Sequence, residues 1–247
     1  MPVNLCIDWG NTNIKVAIYD QDRLVTRQII DSDKVKENFS ALLEKYSPSN
    51  SILCSVTDHN NEIESLLAER TKFFILLDGY TKLPIHNAYY SNDTIGPDRL
   101  ALVTAGHLLN PDKNNLIVCL GTCVTYNFIT KNKTFRGGAI SPGMRMRLKA
   151  MHQLTDRLPD VDADGELLLL GYDTATCMRS GAIFGMAAEI DGMVAEYQRT
   201  YPDFNAILTG GDAPFFANKL KCKIFADPDL ILKGLNLIVN HNVQFSR

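Results

Sequence analysis

Residues 3–30 and 116–140 carry the same succession of apolar runs and short turns, and this repetition limits the fold more than any single motif does. The first copy has apolar runs at 3–9, 13–20 and 23–30, broken by "GNT" and "DQDR". The second has runs at 116–119, 123–130 and 133–140, with "KNK" as its second turn. Apolar runs joined by turns this short form an antiparallel meander. After the first meander the spacing predicts a helix at 33–46, with Val35, Phe39, Leu42, Leu43 and Tyr46 on one face. A strand at 51–56, a helix at 60–69, a strand at 73–77 and a helix at 97–109 follow. After the second meander come helices at 143–154 and 175–200, a strand at 205–209 and a helix at 213–220. A strand at 222–226 and a helix at 229–241 complete the chain. Two such copies imply an internal duplication. The expected class is α/β, with lobes at 1–112 and 113–247, each a mixed sheet that begins with a three-stranded antiparallel meander and carries helices on it. "NPDKNN" at 110–115 is the candidate boundary. The 247 residues are enough for two cores of roughly 110–130 residues each. Short connections between two lobes suit a ligand held at their junction.

Composition removes several function classes. A hydrophobic content of 45% and a charged content of 21% describe a soluble globular protein. The net charge of −3 argues against a nucleic-acid partner, which calls for a basic patch. No apolar run approaches the ~18–20 residues of a membrane span, and the chain enters a strand too early for a signal peptide. Cys6, Cys54, Cys119, Cys123, Cys177 and Cys222 are scattered and mostly in apolar surroundings, as reduced cysteines are in the cytoplasm. Cys119 and Cys123 form a C-x3-C pair with no second pair or histidine at zinc spacing.

Five glycine-bearing loops could carry chemistry. In Asp8-Trp9-Gly10-Asn11-Thr12 a carboxylate ends a buried strand beside a tight turn, with Lys15 close by. Backbone N–H groups with the Asn and Thr donors suit phosphate oxygens, and the carboxylate suits Mg2+ held through water. An ordinary Gly-Asn hairpin turn is an equal reading of that loop alone. In Gly96-Pro97-Asp98-Arg99, ahead of a helix, Asp98 is either the N-cap or a base for a substrate hydroxyl, with Arg99 holding an anion. In the second copy Gly121-Thr122, "GGAISPG" (137–143) and "TGGD" (209–212) place further donors after strands. "DVDADG" (160–165) begins like a calcium loop, but its twelfth position is Gly171, so it reads as an acidic surface loop. His59, His86, His107, His152 and His241 lack metal spacing and read as ordinary surface or satisfied residues. No P-loop and no G-x-G-x-x-G is present.

Taken together, these motifs resemble the type III pantothenate kinase family of the acetate kinase, sugar kinase, Hsp70 and actin superfamily. The likeness runs from Asp8 to "LKGLNLIVN" at 232–240 and implies two actin-like (ribonuclease H-like) lobes. "DWGNTNIK" resembles D-x-G-N-T-x-x-K, which implies that Asp8 positions Mg2+ and that Gly10, Asn11, Thr12 and Lys15 serve ATP. "GPDR" resembles G-x-D-R, which makes Asp98 the proton acceptor within a substrate element of Gly96, Pro97, Asp98 and Arg99. Arg99 would pair with the pantothenate carboxylate. Tyr89, seven residues before Gly96, matches the substrate tyrosine, with adjacent Tyr90 an alternative register. "GGAISPG" matches G-G-x-I-x-P-G. "DTATCMRSG" resembles N-T-x-x-A-M-x-S-G and casts Thr174 as a substrate residue; Thr122 matches a threonine that contacts ATP. The implied reaction is ATP-dependent phosphorylation of pantothenate, the first step toward coenzyme A, by a cytoplasmic homodimer.

The departure is Cys119. The resemblance implies an aspartate there, associated with a monovalent cation, K+ or NH4+, and a thiol is a poor ligand for a hard cation. Cys123 replaces a small residue. The competing expectations are a kinase of the same superfamily with another small hydroxylated substrate, and a nucleotide-binding regulatory relative with impaired catalysis.

Overall fold

The computed structural model describes residues 2–57, 61–201 and 203–245. His59 and the first residue of the helix expected at 60–69 lie outside them. Element order is β1 (Val3–Trp9), β2 (Ile14–Asp20), β3 (Arg23–Ile30), a 3-10 turn (Ser32–Lys34), α1 (Val35–Tyr46), β4 (Asn50–Ser55), α2 (Asn61–Arg70), β5 (Phe73–Leu76), β6 (His86–Asn87) and α3 (Pro97–Leu109). Then follow β7 (Asn114–Leu120), β8 (Cys123–Ile129), β9 (Thr134–Pro142), α4 (Met144–Gln153), α5 (Thr174–Thr200), β10 (Phe204–Thr209), α6 (Ala213–Phe216), β11 (Phe225–Ala226) and α7 (Leu230–Phe245). The meanders and long helices stand where periodicity puts them. The helix expected at 213–220 is a single turn, and the strand expected at 222–226 is reduced to two residues. Pro214 suits the first turn, and beyond Phe216 the chain tightens, with the Lys219 and Leu220 N–H groups both bonded to the Phe216 carbonyl.

The chain forms two compact units. Unit 1 comprises 1–111, 132–136 and 229–247; unit 2 comprises 112–131 and 137–228. In unit 1 the sheet order is β3-β2-β1-β4-β5, antiparallel from β3 to β1 and parallel from β1 to β5. Period-two alternation sends Leu5 and Ile7 of β1 into a core with Phe39, Leu42, Ile63 and Leu67 from α1 and α2. The opposite face bears Asn4, Cys6 and Asp8. It is covered by α7, whose Asn236 and Asn240 accept hydrogen bonds from Asn4 Nδ2 at 2.8 and 2.7 Å.

Sequence order assigns the 229–241 helix to the second lobe; α7 instead packs in unit 1, against α3, β1 and β4. Two features hold it there. The buried amides of Asn4, Asn50 and Asn236 satisfy one another, with Asn50 Nδ2 donating to Asn4 Oδ1 at 2.7 Å and Asn236 Nδ2 to the Gln21 carbonyl at 2.8 Å. At Gly234 a Cβ would overlap the Ala101 carbonyl, so α7 and α3 approach at backbone distance. His107 departs from the expectation for the histidines. It is buried on α3, and neither ring nitrogen has a hydrogen-bond partner among the described residues. Burial, then the charge of Lys133, lowers its pKa and keeps it neutral.

Unit 2 repeats the plan, with the order β11-β10-β7-β8-β9, β7 antiparallel to β8 and parallel to β10. Its core gathers Leu116, Val118 and Tyr126 with Ile183, Met186 and Ile190 of α5. None of the described helices is long and apolar enough to cross a membrane.

The α3–α7 contact predicts opposite outcomes for two glycine substitutions. Gly234→Ala should destabilise the fold by about 1–3 kcal/mol through overpacking. Gly192→Ala, mid-α5 with nothing within 4 Å of its Cβ position, should stabilise it by roughly 0.5–1 kcal/mol. Urea unfolding of both variants checks the pair, and equal effects would contradict the packing described.

Candidate active site

In unit 1 the antiparallel register sets Asp8 opposite Lys15 on β2, and the parallel register sets it beside Cys54 on β4. Protein packed around the carboxyl raises its pKa to about 6. The Lys15 ammonium pulls it down and the Asp98 carboxylate pushes it up. Cys54, fully buried, is raised first by burial and then by the charges of Asp8 and Asp98. Asp8, Lys15, Cys54 and Asp98 thus share one field.

Asp98 is not the N-cap of α3. Gly96 takes that position with extended φ and ψ of −63° and 125°, and Pro97 opens the helix. Asp98 therefore falls in the first turn, where the helix dipole favours an anion. Burial raises its pKa, while the Arg99 N–H, the Arg99 guanidinium and its own N–H oppose that rise.

Arg99 is buried, and its guanidinium carbon lies 5.4 Å from the Tyr89 ring and 5.7 Å from the Phe135 ring. The two rings stack at 6.1 Å and 9°, giving the cation an aromatic wall. Tyr89 is oriented by its N–H, which donates to Asn87 Oδ1 at 3.0 Å. Tyr90 projects into solvent. Of the two registers open in the sequence, Tyr89 is the one beside Arg99.

At the hairpin tip Gly10 N–H donates to the Asn13 carbonyl at 3.1 Å, so it is taken up by the turn. Asn11 and Thr12 are exposed. They line a cavity of about 580 Å3 with Trp9, Ile30, Asp31 and Thr57. This cavity opens on the Trp9 side of β1, and Asp8 is absent from its lining. Phe135 and Asp31 carry no motif in the sequence, and Cys54 stands there only as one of several cysteines in apolar surroundings. Counting four residues from Asn50, as from Asn4 to Asp8, would have found Cys54.

Asp8 fits Mg2+. Among the described residues no three His, Cys, Asp or Glu side chains cluster as a complete cage. Mg2+ is ordinarily held by one or two carboxylates together with substrate phosphates and water, and a raised carboxyl pKa is what an uncompensated anion shows.

In unit 2 the register sets Cys119 opposite Thr125 and beside Thr209. Gly121 N–H donates to the Cys123 carbonyl at 3.0 Å, Gly143 N–H to the Thr122 carbonyl at 3.1 Å and Asp212 N–H to the Leu120 carbonyl at 3.1 Å. Gly210 has φ of 100°, and a Cβ there would overlap the Leu120 carbonyl. The three glycine turns of unit 2 therefore converge on one hairpin tip, leaving the Thr122 side chain exposed. The 141–143 turn is braced from behind: Arg147 donates to the Pro142 carbonyl at 2.8 Å and to Ser141 Oγ at 2.9 Å, and pairs with Glu189. Glu189 also accepts from Tyr126 and Ser141, both at 3.0 Å. Thr174 is the exposed first residue of α5, after the N-cap Asp173, whose carboxylate and the Thr176 hydroxyl form a reciprocal capping box.

The geometry of unit 1 and the turn cluster of unit 2 invite comparison with known proteins. A sequence profile described as type III pantothenate kinase matches residues 4–196. The chain belongs to the type III pantothenate kinase family. A type III pantothenate kinase of Bacteroides fragilis is 43% identical over 243 residues, covering 97% of this chain and 98% of that protein. One from Phocaeicola vulgatus is 43% identical over 241 residues, covering 97% and 99%. Among solved structures, a protein described as a Baf family transcriptional activator from Campylobacter jejuni has a TM-score of 0.60 at 21% identity, covering 97% and 99%. An activator of 2-hydroxyisocaproyl-CoA dehydratase from Clostridium difficile has a TM-score of 0.58 at 10% identity, covering 99% and 96%. At such identities these likenesses speak for the fold, an actin-like α/β architecture of two lobes.

The charge on Asp8 has a stability cost. Its folded pKa of about 6 exceeds its ordinary value of 3.8, so the stability it adds is full below 3.8 and is lost as pH rises through 6. Asp8→Asn should therefore raise unfolding free energy at pH 7 by about 3 kcal/mol, with the gap closing near pH 4. Denaturant titrations at the two pH values decide it; an equally large gap at both would show that the carboxylate is not the cause.

Proposed function

We infer that this chain transfers the γ-phosphoryl group of ATP to the primary hydroxyl of pantothenate, the first step of coenzyme A biosynthesis. The observation that carries this reading is the joint placement in unit 1 of Asp8, Lys15, Asp98, Arg99 and Tyr89, in a chain of this family. Phosphoryl transfer asks a protein mainly for alignment and charge stabilisation.

Asp98 takes the proton of the attacking hydroxyl, and its position in the first turn of α3 keeps that carboxylate fixed as the hydroxyl approaches. Arg99 pairs with the pantothenate carboxylate; its aromatic wall limits the guanidinium to one orientation, so the acid end of the substrate sets where the hydroxyl lies. Tyr89 forms part of the same substrate surface, and Gly96 and Pro97 shape the backbone leading into it. Lys15 stabilises charge on the phosphates, with Asn11 and Thr12 as further donors. Gly10 closes the turn that presents them, its own N–H being engaged. Mg2+, when bound, offsets phosphate charge, and Asp8 is the residue that would hold it through water. In unit 2, Thr122 contacts ATP and Thr174 contacts pantothenate. The protein acts in the cytoplasm as a homodimer, which would cover part of the apolar surface that unit 2 leaves exposed at Leu154, Leu169, Leu170 and Tyr172.

The decisive assay follows ADP formation from Mg-ATP with pantothenate as acceptor. Asp98→Asn should lower kcat by ~10²–10⁴ while still binding Mg-ATP. Arg99→Lys should raise KM for pantothenate roughly tenfold and leave that for ATP unchanged. Absence of pantothenate-dependent ADP formation by the unaltered protein would refute the reading.

A further inference from the structure

The equivalence of the two hairpins can be counted residue by residue. Asn4 and Asn50 face each other across parallel strands, and Asp8 and Cys54 stand four residues further on. Asn115 and Asn205 face each other in the same way in unit 2, with Cys119 and Thr209 four residues further on. Cys119 is therefore the positional counterpart of Asp8 in the second sheet, and its antiparallel neighbour is Thr125 where that of Asp8 is Lys15. A thiol between two neutral hydroxyl residues offers no anionic oxygen. K+ and NH4+ seek oxygen donors, and with a thiol where the family resemblance implies a carboxylate, the neighbouring hydroxyls of Thr125 and Thr209 bring no negative charge to offset the cation's dehydration.

A carboxylate does stand beside this hairpin, but it is engaged. The Asp212 backbone N–H is bonded to Leu120, the residue after Cys119, and its carboxylate lies 3.4 Å from the Arg145 guanidinium. The Asp212 side chain is 15% exposed and that of Arg145 is 65% exposed. A mobile cation brought to Asp212 would meet a guanidinium already there. Arg145 is the second residue of α4, two residues after Gly143, whose N–H is bonded to the Thr122 carbonyl. The guanidinium is thus tethered at one edge by Asp212 near the tip that bears Thr122. Its remaining N–H donors are available to an anion.

We propose that Arg145, docked on Asp212, is the fixed cation of this turn cluster, meeting the nucleotide phosphates in place of K+ or NH4+. Nucleotide binding by this chain is then indifferent to the monovalent salt. The proposal rests on the kinase reading above insofar as the ligand is a nucleoside triphosphate. It differs from a surface ion pair of little consequence in that the pair loads a charge for a ligand rather than stabilising the fold.

Calorimetric titration of the full-length protein with Mg-ATP tests this without relying on turnover. Potassium, ammonium, sodium and choline chlorides are compared at constant ionic strength, so that screening is equal. The unaltered protein should show the same Kd in all four within about twofold, and Arg145→Gln should weaken it roughly tenfold in every salt. Arg145→Lys should hold Kd within about threefold, as a retained charge would. Tightening of about fivefold or more by potassium or ammonium over choline, in the unaltered protein, overturns the proposal. So does an Arg145→Gln variant with unchanged Kd. The salt series needs no variant, so misfolding of a mutant leaves the test intact. No Mg-ATP binding in any salt removes the kinase reading together with the proposal, whereas salt-dependent binding removes the proposal alone.

Discussion

The buried amide of Asn4 is the contact on which the register of unit 1 depends. It is wholly excluded from water, donates to Asn236 and Asn240 and accepts from Asn50. A primary amide in such a place is tolerable only while its hydrogen bonds are made. A slip of β1 by one residue would break these bonds and turn Leu5 and Ile7 out of their core. The same register fixes Asp8, four residues along on the same face, opposite Lys15 and beside Cys54. Structure and chemistry thus share one strand face: amides at one end hold it, and a carboxylate at the other end uses the position. Unit 2 repeats the device in weaker form, with Asn205 Nδ2 3.4 Å from Asn115 Oδ1.

Electrostatically the site is built against its own stability. Two carboxyls, Asp8 and Asp98, are partly withdrawn from water; burial raises the pKa of both and the Asp98 charge adds to the rise at Asp8, while Lys15 opposes it at Asp8 and Arg99 at Asp98. Cys54 feels both acids and stays a thiol. An arrangement of this kind stores an unmet demand for positive charge. The unit 2 tip has the opposite character. Its turn N–H groups are bonded internally, the adjoining Asp212 carboxylate is paired with Arg145, and Cys119 brings no carboxylate where Asp8 brings one.

Much of this was legible in the chain because it is local. Apolar runs with two- to four-residue turns set the meanders, and the spacing from Asp8 to Lys15 across a hairpin already implied that they face each other. "GPDR" showed the start of a helix, though not that Gly96 rather than Asp98 caps it. Elements that depend on distant chain were not legible. Phe135 meets Tyr89 and Arg99 only through the two-residue parallel pairing of β6 with Thr134 and Phe135, too short to leave a periodic signal. β11 shrinks because Lys221 and Lys223 interrupt its apolar run and Asp191 binds the Lys221 and Cys222 N–H groups from α5. The placement of α7 could not be read from its amphipathic pattern, which specifies a buried face without naming what buries it.

That placement has a consequence for how the protein comes into being. Asn4 and Asn236 are separated by 232 positions, and all of unit 2 lies between them in the chain. During synthesis the strands of unit 1 leave the ribosome first, yet one face of their sheet has no cover until α7 is made. Unit 2 has every one of its residues before that helix exists. The half made first is therefore the half finished last, and the Asn4–Asp8 face cannot be assembled until translation has passed through α7.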